Sequence, residues 1–180
     1  MSPTIDAIED EVVLLDETGT PIGRAPKNAA HGPDTALHLA FSCHVLNPVG
    51  EVLVTRRALT KQAWPGVWTN SFCGHPKPAE SLTTAVRRRA EFELGLELDD
   101  VELALPLFRY RATDANGTVE NEVCPVYLAT TSGEPDPNPR EVAEYRWVDA
   151  RELGRAVETV PWAFSPWLAL QARQLELFHA

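Results

Sequence analysis

Glu120 and Glu122 lie two residues apart in a segment with strand character, so their side chains point the same way. Two carboxylates on one face repel unless a cation or a proton sits between them, or unless both point into water. Five histidines accompany them: His31, His38, His44, His75 and His179. His31 and His38 are seven apart, but Gly32 and Pro33 break any helix between them. His38 and His44 share one strand face, opposite Leu39, Phe41, Cys43 and Val45. His75 follows Cys73-Gly74 and precedes Pro76, at a strand end where the chain turns. Three imidazoles and two carboxylates could form an octahedral site for Mn²⁺, Mg²⁺ or Zn²⁺. Spacing alone does not gather them, and His44 and His179 read as core or surface groups.

In Cys73-Gly74-His75, glycine permits a tight turn and close approach of a ligand to the backbone. A neighbouring histidine or metal would make the thiol a usable acid or base, and a buried thiol before a turn is the plainer alternative. Cys124 shares a face with Glu120 and Glu122 by parity and rivals Cys73 for the reactive role, whereas Cys43 lies on an apolar face and reads as core. Arg87, Arg88 and Arg89 share a helix with Glu91 and Glu93, where Arg87–Glu91 and Arg89–Glu93 suit ordinary helix pairing. Arg56, Arg57 and Lys61 add a second basic cluster, suited to phosphate capture, with Lys27 a further candidate. Of five tryptophans, Trp162 lies in the aromatic segment Pro161-Trp162-Ala163-Phe164-Ser165-Pro166-Trp167, suited to lining a pocket.

The net charge of −10 argues against nucleic acid or a membrane surface as partner. An anionic small molecule then needs a metal ion or a local basic cluster to reverse the field. Three cysteines make no disulfide framework. No apolar run reaches membrane-spanning length and the N-terminus has no signal-peptide character, so a cytoplasmic protein is expected.

The elements that must position these groups are readable in outline. Residues 1–10 read as a flexible tail, and 11–180 as one domain. Val12–Leu15, a Gly19 turn and Pro21 onward read as a hairpin, and residues 28–34 as a loop. Strands are expected over 37–46, 52–57 and 67–73. The clearest helix runs from Ser81, its N-cap, to Leu94, with Gly95 ending it in the left-handed conformation. Residues 101–111 and 119–130 form a long hairpin about Asp114–Gly117, and Tyr145–Val148 a short strand. Asp149 caps a helix to about Val157, and a last helix runs from Pro166 to Leu177. The fold class expected is α/β (α+β), a mixed sheet between helices.

Several long strings together resemble one family. Ala63-Trp64-Pro65-Gly66-Val67-Trp68-Thr69-Asn70-Ser71, Cys73-Gly74-His75-Pro76, Phe108-Arg109-Tyr110-Arg111-Ala112, Glu120-Asn121-Glu122-Val123-Cys124-Pro125 and the Pro161–Trp167 segment resemble type I isopentenyl-diphosphate delta-isomerases, from about Glu11 to Leu175. The helix is also similar to a Nudix box at Gly74, Glu80, Arg88, Ala90, Glu93, Gly95 and Leu96, but Arg89 and Phe92 replace two of its glutamates. That departure puts diphosphate hydrolysis, the alternative activity, in doubt.

The resemblance implies a Nudix-like sheet sandwiched between helices, and interconversion of isopentenyl and dimethylallyl diphosphate. By the same resemblance His31, His38, His75, Glu120 and Glu122 hold one Mn²⁺, Mg²⁺ or Zn²⁺ ion. Glu93 helps hold a Mg²⁺ that comes with the diphosphate. Cys73 and Glu122 act from opposite faces of the substrate, Tyr110 assists Glu122, and Trp162 faces the cation. Lys27, Arg57, Lys61 and Arg89 contact the diphosphate, with Arg56 beside them. The partner expected is this small diphosphate, and the chain is expected to be a monomer or a weak homodimer.

Overall fold

The computed structural model describes residues 11–179, so the expected tail over 1–10 lies outside the described residues. Strands β1 (Glu11–Leu15) and β2 (Pro21–Pro26) form the N-terminal hairpin. A short helix, α1 (Lys27–Ala30), opens the segment expected as loop. The single strand expected over 37–46 is two: β3 (His38–Leu39) and β4 (Phe41–Leu46). Next come β5 (Val52–Arg57), β6 (Trp68–Thr69), β7 (Phe72–Gly74) and helix α2 (Leu82–Leu94). The long hairpin comprises β8 (Val101–Leu105), β9 (Arg109–Thr113), β10 (Val119–Val123) and β11 (Val126–Thr130). Strand β12 (Val142–Val148), α3 (Ala150–Thr159) and α4 (Pro166–Ala172) complete the chain, with 3-10 turns at Pro161–Ala163 and Glu176–Phe178. The expected last helix is therefore shorter, ending at Ala172.

The strands make two mixed sheets rather than one. One has the order β2-β1-β3-β10-β9; the other runs β12-β5-β4-β11-β8, with β6 paired to β5 and β7 to β4. Two chain segments pass between the sheets side by side. The β3–β4 segment crosses at Ala40 and the β10–β11 segment at Cys124-Pro125, and they stay parallel throughout, Ala40 N donating to Val123 O and Ser42 N to Pro125 O. Pro125 cannot donate to a ladder, so the strand breaks there and bends into the second sheet.

Helix α2 covers one face of the second sheet. Ala85, Val86, Ala90 and Leu94 pack on Phe41, Cys43, Val45 and Leu53. Its N-cap and C-cap are as the sequence requires: Ser81 accepts from Thr84 N, and Gly95 sits at φ 62°. The opposite face, with Ala40, Val52 and Val54, takes Leu153 and Val157 of α3 and Trp167 and Leu168 of α4. The sheet is thus sandwiched between helices. Asp149 caps α3 as expected, accepting from Glu152 N at 3.0 Å.

Candidate active site

The junction of the two sheets gathers the anticipated ligands. Glu122 pairs with His38 across the parallel β10–β3 ladder and with Tyr110 across the antiparallel β10–β9 ladder. Alternation puts Glu120 on the same face, and both carboxylates point inward, 7% and 4% exposed. His31 follows α1, and His75 follows β7. Helix α2 fixes the latter segment: Arg88 binds Glu80 through Nε (2.8 Å) and Nη2 (2.7 Å), and Nη2 also donates to His75 O at 3.2 Å. Gly74 is required by close approach, because a Cβ there would sit 2.8 Å from both Phe41 Cζ and Arg89 Cγ.

Ligand atoms of His31, His38, His75 and Glu122 all lie within 4.8 Å of one another. Glu120 joins through His31, Oε2 to Nε2, at 3.0 Å. Glu122 Oε1 lies 3.1 Å from His75 Nε2 and 3.4 Å from His38 Nε2, and the two Nε2 atoms are 3.2 Å apart. His38 Nδ1 donates to Ala36 O (2.9 Å) and His31 Nδ1 to Lys27 O (3.2 Å). A carbonyl only accepts, so each Nδ1 carries a proton and each ring turns its Nε2 toward the cluster. His31 Nε2 and Glu120 Oε2 are buried and have no hydrogen-bond partner among the described residues.

Imidazole nitrogens and carboxylate oxygens converging at this spacing suit a cation. Bonds of about 2.1–2.3 Å at right angles separate neighbouring donors by about 3.0–3.3 Å, close to the distances found here. The residues therefore fit a divalent ion. The charges agree: burial and the Glu122 charge push Glu120 up. Burial also pushes Glu122 up, but its bonds from His38 and His75 outweigh this and hold it well below the usual carboxylate range. Burial lowers His75 to about 4, leaving it a neutral imidazole.

Beside the cluster is a cavity of about 740 Å³, lined by Cys73, Tyr110, Glu120, Glu122 and Trp167, and by the basic residues Lys27, Arg57, Lys61 and Arg89. The Tyr110 phenol donates to Glu122 Oε2 at 2.9 Å, and burial pushes its own ionisation far up, so it remains a donor. Burial raises the Cys73 thiol to about 12, partly offset by the Ser42 hydroxyl 3.2 Å away. Cys124, the rival thiol, is fully buried 3.5 Å from the other side of Ser42 and does not line the cavity. His44 does not share the site with His38, because the strand break at Ala40 separates them; it bonds Gln171 at 2.9 Å in the core.

Two basic residues of the cavity are already neutralised. Lys61 pairs with Glu141, and Arg89 with Glu93 and, at 3.5 Å, with Glu141. Glu93 lies behind Arg89 and does not line the cavity. Arg57 donates to Ala63 O and lies 5.4 Å from the Trp167 ring centroid. Arg56 turns away to Glu144 at 2.9 Å. Arg87 donates to Leu98 O instead of pairing with Glu91.

Trp162 is not where the sequence suggests. It is 84% exposed and lies in a shallow groove with Val67 and Phe164, because the 3-10 turn at Pro161–Ala163 directs it outward. Trp167 takes the interior position. It is 2% exposed, edge-on to Trp64 at 5.3 Å and 5.7 Å from Tyr110 between ring centroids. A signal for it existed: Pro166 starts a helix capped by Ser165, and Trp167, Leu168 and Gln171 then form its buried face.

The chain matches the NUDIX domain family over residues 36–170. It resembles solved structures from Deinococcus radiodurans (TM-score 0.69, 22% identity, 91% of this chain and 98% of that one) and a MutT NUDIX hydrolase from Burkholderia pseudomallei (0.58, 26%, 77% and 98%). The first, at its low identity, shows the fold alone. Curated relatives are far more similar. The chain is 70% identical to an isopentenyl-diphosphate Delta-isomerase of Agromyces mediolanus, over 91% of this chain and 80% of that one. It is 58% identical to that of Kocuria rhizophila, over 95% of both. With the motif strings, the Nudix fold and these relatives in agreement, the chain belongs to the isopentenyl-diphosphate Delta-isomerase family of the Nudix superfamily.

Proposed function

We propose that this chain interconverts isopentenyl and dimethylallyl diphosphate, adding a proton at the terminal alkene carbon and removing one from the methylene on the other side of the central carbon, which carries the charge in between. One observation carries the reading: a thiol, Cys73, and a carboxylate, Glu122, line a single cavity that also presents an indole and a set of cations. Protonating an unactivated alkene creates a tertiary carbocation, which needs an acid, a dry site and a π face. Glu122, hydrogen-bonded by Tyr110, exchanges one proton and Cys73 the other. Trp167 faces the developing charge, worth about 2 kcal/mol once water is excluded.

His31, His38, His75, Glu120 and Glu122 would hold a divalent ion, Mn²⁺, Mg²⁺ or Zn²⁺, which would supply positive charge beside the Glu122 carboxylate. Lys27, Arg57, Lys61 and Arg89 bind the diphosphate. Glu93 is the residue that would hold a Mg²⁺ accompanying it. Arg89 and Phe92 stand where a Nudix box carries acids, which disfavours hydrolysis. Incubating the protein and Mg²⁺ with isopentenyl diphosphate in deuterated water tests the reading. Deuterium in the allylic product is expected; phosphate release without label in carbon would overturn it.

A further inference from the structure

Asn70 is fully buried in the turn between β6 and β7. Its orientation is unambiguous: Nδ2 donates to two carbonyls, Cys43 O at 3.0 Å and Phe72 O at 2.7 Å, and carbonyls only accept. Oδ1 therefore faces the other way, and three donors converge on it. They are the Trp167 indole Nε1 at 2.9 Å, the Thr69 hydroxyl at 2.8 Å and the Cys73 thiol at 3.3 Å. Trp167 and Cys73 both line the cavity. Behind them Ser165 braces Thr69 at 2.8 Å, and Gln171 Nε2 donates to Ser42 Oγ, the second polar neighbour of the thiol.

We propose that Asn70 is a positioning residue, whose single carboxamide oxygen sets both the direction of the Cys73 S–H bond and the plane of the Trp167 ring. The inference rests on the isomerase reading only for its kinetic consequence. Sulfur is a weak donor and the thiol side chain has one free torsion, so without an acceptor the proton samples several directions. The indole is pinned to the same atom, so its ring and the sulfur move together. Releasing either donor strengthens the bond of the other, because donors sharing an acceptor compete for its lone pairs. A misplacement of about 1 Å at such a pair costs on the order of 100-fold in rate.

The test combines the S–H stretching band of Cys73, isolated by subtracting the Raman spectrum of Cys73→Ala, with steady-state kinetics. In Asn70→Leu, which matches the shape but accepts nothing, the band is expected to move to higher frequency. The same variant should lose about 100-fold in kcat, with KM within threefold. In Trp167→Phe, which removes one donor from Oδ1, the band is expected to move to lower frequency because the thiol gains a less occupied acceptor. A band at the wild-type position in Trp167→Phe overturns the shared-oxygen arrangement, and decides the matter alone should Asn70→Leu not fold. A kcat loss in Asn70→Leu with an unmoved band also overturns it. The spectra need no turnover, so they test Asn70 even if the wild-type protein fails to isomerise isopentenyl diphosphate.

Discussion

Tyr110 and Glu122 face each other across the β9–β10 ladder, and the phenol holds Glu122 Oε2 at 2.9 Å while Oε1 points at His75 and His38. The carboxylate therefore has one oxygen on a neutral donor and the other on the histidine cluster. Tyr110→Phe removes one hydrogen bond to a charged group, about 1.5–3 kcal/mol, so kcat should fall roughly 10- to 100-fold. Glu122→Gln removes the proton acceptor itself and should cost 10³-fold or more. Initial rates of allylic product formation check both. If Tyr110→Phe proves as damaging as Glu122→Gln, the phenol is a proton-transfer group in its own right and not an assistant.

The convergence of three imidazoles and two carboxylates predicts that stability depends on a divalent ion. With free ion at about 100 times its dissociation constant, binding adds roughly 2.7 kcal/mol, or about 5–10 °C in Tm for a domain of this size. Chelation should remove that increment, and returning Mn²⁺, Mg²⁺ or Zn²⁺ should restore it. His38→Ala should unfold at one temperature with or without metal. A wild-type Tm that ignores the chelator would mean that protons, not an ion, hold the cluster together.

The position of the two tryptophans gives a comparison that needs no structure to read. Trp162→Ala removes an exposed ring and should leave kcat/KM within about twofold. Trp167→Ala removes the buried ring beside Arg57 and Tyr110, and should lower kcat/KM at least 100-fold while costing about 3–5 kcal/mol of stability. The opposite ranking would return the cation-facing role to Trp162.

How far the sequence reached depended on the range of the interactions involved. Helix α2 was legible to within a residue because Ser81 and Gly95 act on their own neighbours. The inward parity of Glu120 and Glu122 was legible as one of two alternatives, since strand alternation is local but the buried face is chosen by the partners, His38 and Tyr110. The breaks at Ala40 and Cys124-Pro125 were not legible from strand propensity, because they exist to carry two paired segments between sheets. Their consequence was the misplacing of His44 on the face of His38. Likewise Glu141, about 80 residues from Lys61, carried no sign that it would neutralise Lys61 and Arg89.

His44 supplies a prediction about pH. It is fully buried and neutral, its Nε2 held by Gln171 Oε1, and burial pushes its ionisation down from the ordinary 6.5 to about 4. Between those values the unfolded chain takes up a proton that the native state refuses. Stability from this residue is therefore complete above pH 6.5, declines as pH falls toward 4, and is constant below, a total change of roughly 3 kcal/mol. His44→Phe keeps a ring beside Phe178 but leaves Gln171 without its partner, so it should be less stable at pH 7.5 by about 1–3 kcal/mol. Its urea midpoint should nevertheless decline less steeply from pH 6.5 to 4, by the slope that one proton contributes. His75 is depressed in the same window and is common to both proteins, so the difference between the two curves belongs to His44. Parallel curves would show that His44 takes up its proton without unfolding the core around it.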